Sequence, residues 1–75
     1  MIMIMSNGTL RRKEFDILTC LEHSDNAMTQ REIAEVTGMS VGSVNRGLTA
    51  LTELGYLADN MVTEAGYAAL EPYRV

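Results

Sequence analysis

The chain has 75 residues, 47% hydrophobic and 21% charged, with ten Asp plus Glu against six Lys plus Arg for a formal charge of −4. That balance is too apolar and too weakly charged for disorder, and the length suits one small domain that buries only about 60% of its unfolded surface. A single cysteine, Cys20, excludes an internal disulfide and a structural zinc cluster, and the size excludes a large enclosed catalytic cleft.

No apolar run approaches the roughly 18 residues of a membrane span. The opening Met1-Ile2-Met3-Ile4-Met5 lacks the basic flank and the length of a signal peptide. A cytoplasmic protein with no membrane partner is therefore expected. Residues 1–9 read as an apolar leader, which either seeks a second chain or precedes a natural start nearer Met5.

Thr9 is placed to cap a first helix over residues 10–22, with Leu10, Ile17, Leu18 and Leu21 on one stripe and Phe15 on its flank. After the polar break 22–26, Thr29-Gln30-Arg31-Glu32 has the form of a capping box, in which hydroxyl and carboxylate each satisfy a free backbone N–H. Loss of the Thr29 hydroxyl is expected to cost about 1 kcal/mol. Ile33, Ala34 and Val36 supply this second helix with an apolar face and Gly38 ends it. So short a helix depends on tertiary packing.

Ser40 caps a third helix over 41–54, where Val41, Val44, Leu48 and Leu51 recur at spacings of three and four as a buried stripe. Gly55 ends it. Gly42 and Gly47 inside this helix each cost roughly 1 kcal/mol relative to Ala, which implies a close approach to the helix backbone. Tyr56-Leu57-Ala58 and Met61-Val62-Thr63 bracket Asp59-Asn60, a two-residue hairpin turn. A last helix opens at Thr63 or Glu64 and ends before Pro72, and residues 71–75 read as a tail or the start of a linker.

The order is helix, capped short helix, glycine-containing turn, longer helix, hairpin, helix. The fold class is mainly α with a small β-hairpin wing: a winged helix-turn-helix, its domain over residues 10–70.

The stretch Gln30-Arg31-Glu32-Ile33-Ala34-Glu35-Val36-Thr37-Gly38-Met39-Ser40-Val41-Gly42-Ser43-Val44-Asn45-Arg46-Gly47-Leu48 resembles the helix-turn-helix of MarR-type winged-helix regulators. Leu51-Thr52-Glu53-Leu54-Gly55-Tyr56-Leu57 is similar to that family's approach to the wing, and Val62-Thr63-Glu64-Ala65-Gly66-Tyr67 to its wing exit. The resemblance spans about residues 15–70 and implies a DNA-binding transcription regulator. The chain departs from the family in showing no long terminal helices for dimerisation and in placing Asp59 and Asn60 where DNA-binding wings usually carry Arg or Lys. A narrower resemblance, through the Leu-Glu-Pro-Tyr ending, is to small domains placed ahead of bacterial nucleotidyltransferases of the choline-phosphate cytidylyltransferase and choline kinase type. It carries over no catalytic residue.

The face of the third helix opposite its apolar stripe holds Gly42, Ser43, Arg46 and Thr49, with Asn45 alongside. Arg can fork onto guanine and Asn onto adenine, and Ser and Thr can bond bases or phosphate. The early positions of a recognition helix are those that reach base edges. Gln30 and Arg31 at the start of the second helix, and Ser40 at the start of the third, complete the candidate contact set. The plain alternative is an ordinary solvated polar face.

Charge argues for restraint. Residues 1–26 carry +3 and −4, residues 27–55 carry +2 and −3, and residues 56–75 carry +1 and −3. Phosphate neutralisation needs several cations on one surface. The basic run Arg11-Arg12-Lys13 reads as a solvated helix end in preference to a phosphate clamp. A homodimer or a fused enzymatic domain is then expected to supply the remaining affinity for double-stranded DNA. His23 reads as a surface residue and Cys20 as a small packing residue without a basic neighbour. No enzyme, metal site or cofactor is expected. The rival function is a protein-interaction or interdomain module that never touches DNA.

Overall fold

The computed structural model describes residues 10–24 and 28–73, and the expectations for Thr9 and the leader fall outside them. Helix α1 is Arg12–Glu22, α2 Gln30–Thr37, α3 Val41–Glu53 and α4 Glu64–Leu70; strands β1, Leu57–Ala58, and β2, Met61–Val62, precede α4. This is the expected winged helix-turn-helix.

The first helix begins two residues later than the hydrophobic pattern suggests. Arg11 is its N-cap, and the Arg11 N–H donates to Glu14 Oε1 at 3.1 Å. Leu10 is buried just outside the helix, so its apolar character marks the core and not helical register.

The capping box of α2 forms as expected. The Glu32 N–H donates to Thr29 Oγ1 at 3.1 Å and the Thr29 N–H to Glu32 Oε1 at 2.8 Å. At the other end Gly38 adopts φ 79° and donates its N–H to the Ala34 carbonyl at 2.8 Å. A left-handed residue here closes the helix and redirects the chain in a three-residue connection, which glycine permits without a Cβ clash. Ser40 then caps α3, its Oγ accepting from the Ser43 N–H at 3.1 Å. At the far end the Tyr56 N–H reaches the Leu51 carbonyl and the Gly55 N–H the Thr52 carbonyl, the paired bonds of a Schellman stop.

Two apolar assignments are corrected. Val36 is 67% exposed and Val41 is 46% exposed. On α2 the buried side is set by Ile33 and Ala34, and at about 100° per residue Val36 falls about 60° beyond Ile33 on the side away from Ala34, about 160° from Ala34 itself. Val41 is the first residue of α3 and projects past the packed region, so the buried stripe is Val44, Leu48 and Leu51.

The wing is an antiparallel pair with Leu57 opposite Val62 and Ala58 opposite Met61. Asp59 and Asn60 both take positive φ, 54° and 61°, as a type I′ turn requires and as short Asx side chains tolerate. Thr63 fastens the base of the wing: its hydroxyl donates to the Gly55 carbonyl at 2.7 Å and accepts from the Gly66 N–H at 3.1 Å, capping α4.

The core joins Ile17, Leu18 and Leu21 of α1 with Ile33, Val44, Leu48, Leu51, Leu57 and Leu70. Residues 71–73, expected to begin a tail, instead form a 3₁₀ turn. Tyr73 folds back on α1, its ring centroid 5.0 Å from that of Phe15 and its hydroxyl accepting from the Leu10 N–H at 3.4 Å. Aromatic area that would face solvent in a tail is thereby packed.

Candidate nucleic-acid interface

The turn at Gly38 and the two side-chain caps hold α2 and α3 as a helix-turn-helix pair. Burial of Val44, Leu48 and Leu51 fixes which side of α3 faces outward. Gly42, Asn45, Arg46 and Thr49 are exposed on that outward side and Ser43 is half-buried beside them. Gly42, Arg46 and Thr49 follow one another at spacings of four and three, so they form one row along the helix. Arg46 Nη2 donates to Ser43 Oγ at 3.3 Å, which steers the guanidinium toward the first turn of the helix. A Cβ at position 42 would lie 3.8 Å from Arg46 Nη1, so Gly42 leaves the approach to that side chain open.

The other candidates sit differently. The Ser40 hydroxyl already accepts the Ser43 N–H, although it retains a proton to donate. Exposed Arg31 and half-buried Gln30 occupy the first turn of α2, a separate element whose N-terminus already holds the Glu32 carboxylate. That carboxylate occupies the place a phosphate would take at a helix end. Asp59, at the tip of the wing, is exposed and presents negative charge.

Folding also assembles something that the segment-by-segment charge count does not contain. Arg11, Arg12 and Lys13 at the start of α1 line a shallow groove whose opposite wall is Ser43, Arg46, Gly47 and Ala50 of α3. The two helices can meet this closely because Gly47 has no side chain: a Cβ there would collide with Ile17 Cδ1. Of the two glycines inside α3 only Gly47 marks such an approach; no other element nears the backbone at Gly42, where a Cβ would meet only Arg46 of the same helix. Glu14 also lines the groove. Arg12 Nε is paired with Asp16 Oδ1 at 3.3 Å, with the arginine side chain 86% exposed, a surface pair that a stronger anion can displace.

Among the described residues no group of three or more His, Cys, Asp and Glu is placed to hold a metal ion. Burial raises the Cys20 thiol above its usual pKa, and its Sγ lies 3.5 Å from Met28 Sδ. His23 lies at the end of α1 with Nδ1 2.9 Å from the Thr19 carbonyl, an ordinary helix-terminal position.

Residues 12–60, from α1 through the wing turn, match the family model described as the IclR helix-turn-helix domain. The chain belongs to that family. No curated protein and no solved structure matches it. The IclR-type match establishes a winged helix-turn-helix domain whose function is DNA binding in transcription regulation. Members of such DNA-binding families are typically regulators and not enzymes. The IclR-type domain has, among its described residues, no helix long and apolar enough to cross a membrane.

Proposed function

We propose that this IclR-type domain reads double-stranded DNA with α3 in the major groove. Asn45 and Arg46 address base edges, Ser43 holds Arg46, Gly42 admits the duplex, and Thr49, Ser40, Gln30 and Arg31 contribute polar contacts at the margins. The observation that carries the reading is the outward row Gly42, Arg46 and Thr49, with Ser43 bonded to Arg46, on a helix inside the matched stretch. Arg and Asn are the side chains best suited to fork onto guanine and adenine, and the first turns of the helix are where such contacts are made.

The finer resemblance to MarR-type regulators concerns the same motif and wing, and the family match supports the architecture the two share. A homodimer bound to two half-sites fits a domain of this size, because one acidic monomer supplies few phosphate contacts. We place the working protein in the cytoplasm with its DNA, extend the domain from the expected residues 10–70 to Tyr73, which packs on α1, and assign it no catalytic role. The interdomain module attached to a nucleotidyltransferase-like enzyme has no observation in its favour.

The test is a titration of the 75-residue chain against pooled random duplexes at about 50 mM salt, repeated at about 200 mM. Binding that weakens steeply with salt supports the proposal. No binding at the lower salt removes it.

A further inference from the structure

The wing is where a winged domain would be expected to place cations for the DNA backbone, and residues 57–62 hold none: the turn is Asp59-Asn60. The cations are elsewhere. Arg11, Arg12, Lys13 and Arg46, four of the six Lys plus Arg in the chain, line the same groove between α1 and α3. Resting on the DNA reading above, we propose that this groove is a second contact surface for the duplex, in which the α1 side chains bind phosphates of the strand bordering the base pairs read by α3.

Three observations carry it. First, four cations line the groove against the carboxylates of Glu14, in its lining, and Asp16, which pairs Arg12 from just outside it, a local excess of two positive charges in a chain whose net charge is −4. Glu14 is itself engaged by the Arg11 N–H. Second, Arg11, Arg12 and Lys13 are all exposed, and the opposite wall is low where Gly47 and Ala50 stand, so a sugar–phosphate chain can settle between the helices. Third, Ser43 and Arg46 belong to both surfaces. They line the groove and also lie in the first two turns of α3, so a helix seated in the major groove carries the α1 cations to its phosphate rim. Phosphate contacts of this kind set position and do not read sequence.

The experiment measures the salt slope. The 75-residue chain is titrated with pooled random duplexes between about 50 and about 200 mM salt as wild type, as R11Q/K13Q, and as A65E/A68E. The last pair shifts the net charge by the same two units on exposed positions of α4, outside the groove. The slope of log affinity against log salt becomes shallower by about 0.9 for each phosphate no longer neutralised, about 1.8 for R11Q/K13Q, and stays near wild type for A65E/A68E. Glutamine at position 11 keeps the backbone donor to Glu14, and a melting curve checks the fold. Should the double variant fail to fold, K13Q alone carries half of the change. If the wild type binds but R11Q/K13Q keeps its slope, or A65E/A68E flattens it as much, the groove proposal is wrong and the α3 reading stands. If the wild type binds no duplex, both fall.

Discussion

Gly47 of α3 lies so close to Ile17 of α1 that a Cβ at position 47 would collide with Ile17 Cδ1, while Ile17 itself is fully buried. The glycine therefore sets the distance between the helix that is to read DNA and the helix that carries the basic run.

Gly47→Ala gains helix propensity of about 1 kcal/mol but overpacks a closed core, which costs about 1–3 kcal/mol. The net expectation is a loss of about 1 kcal/mol by urea denaturation. Gly42→Ala, whose new methyl would meet only Arg46 Nη1 at 3.8 Å, is expected to raise stability by about 0.5–1 kcal/mol. Combining Gly47→Ala with Ile17→Val removes the colliding atom, so the pair should be less destabilising than the sum of its parts. Additive behaviour in that cycle would show that the two positions do not touch.

The wing offers a second test. Asp59 holds φ 54° at the first turn position, a conformation that Asn tolerates as readily. Asp59→Asn removes a negative charge while keeping the turn. Its melting temperature should match the parent, and its affinity for random duplexes at low salt should rise, as like-charge repulsion from phosphate is relieved. Unchanged affinity would mean that the wing tip does not approach the DNA.

Much of this fold is legible in the sequence because it is local. Thr29 with Glu32, Ser40, Gly38 and Asp59-Asn60 each declare a cap, a stop or a turn through chemistry within four residues, and the structure places them so. Val36 and Val41 mislead because apolar character alone does not say how far round a two-turn helix, or how near its end, the core extends. Tyr73 reads as tail because its partner Phe15 lies at the opposite end of the chain. The groove is hidden for the same reason. Arg11, Arg12 and Lys13 are separated from Arg46 by more than thirty positions, so charge counted along the chain shows an acidic protein where the fold gathers four cations. Gly47 is the local trace of that meeting.

Cys20 should be a slow thiol. Burial raises its pKa, so less thiolate is present near neutral pH and its reaction with a disulfide reagent should lag a free cysteine peptide. The linkage has a definite sign. The folded value lies above the unfolded one, so this group's contribution to stability is complete below the unfolded pKa and is lost as pH rises through the folded pKa. Labelling as fast as that of the peptide would show that the packing against Met28 does not form.

The central claim is that α3 reads base edges through Arg46, and it is tested most directly by selecting a preferred duplex from a random pool and comparing wild type with Arg46→Ala. The variant should lose about 1–3 kcal/mol on the selected site with specificity relaxed at one base pair, and much less on random duplexes. Equal losses on both would reduce Arg46 to a phosphate contact, and no loss on either would contradict the placement of α3 in the groove.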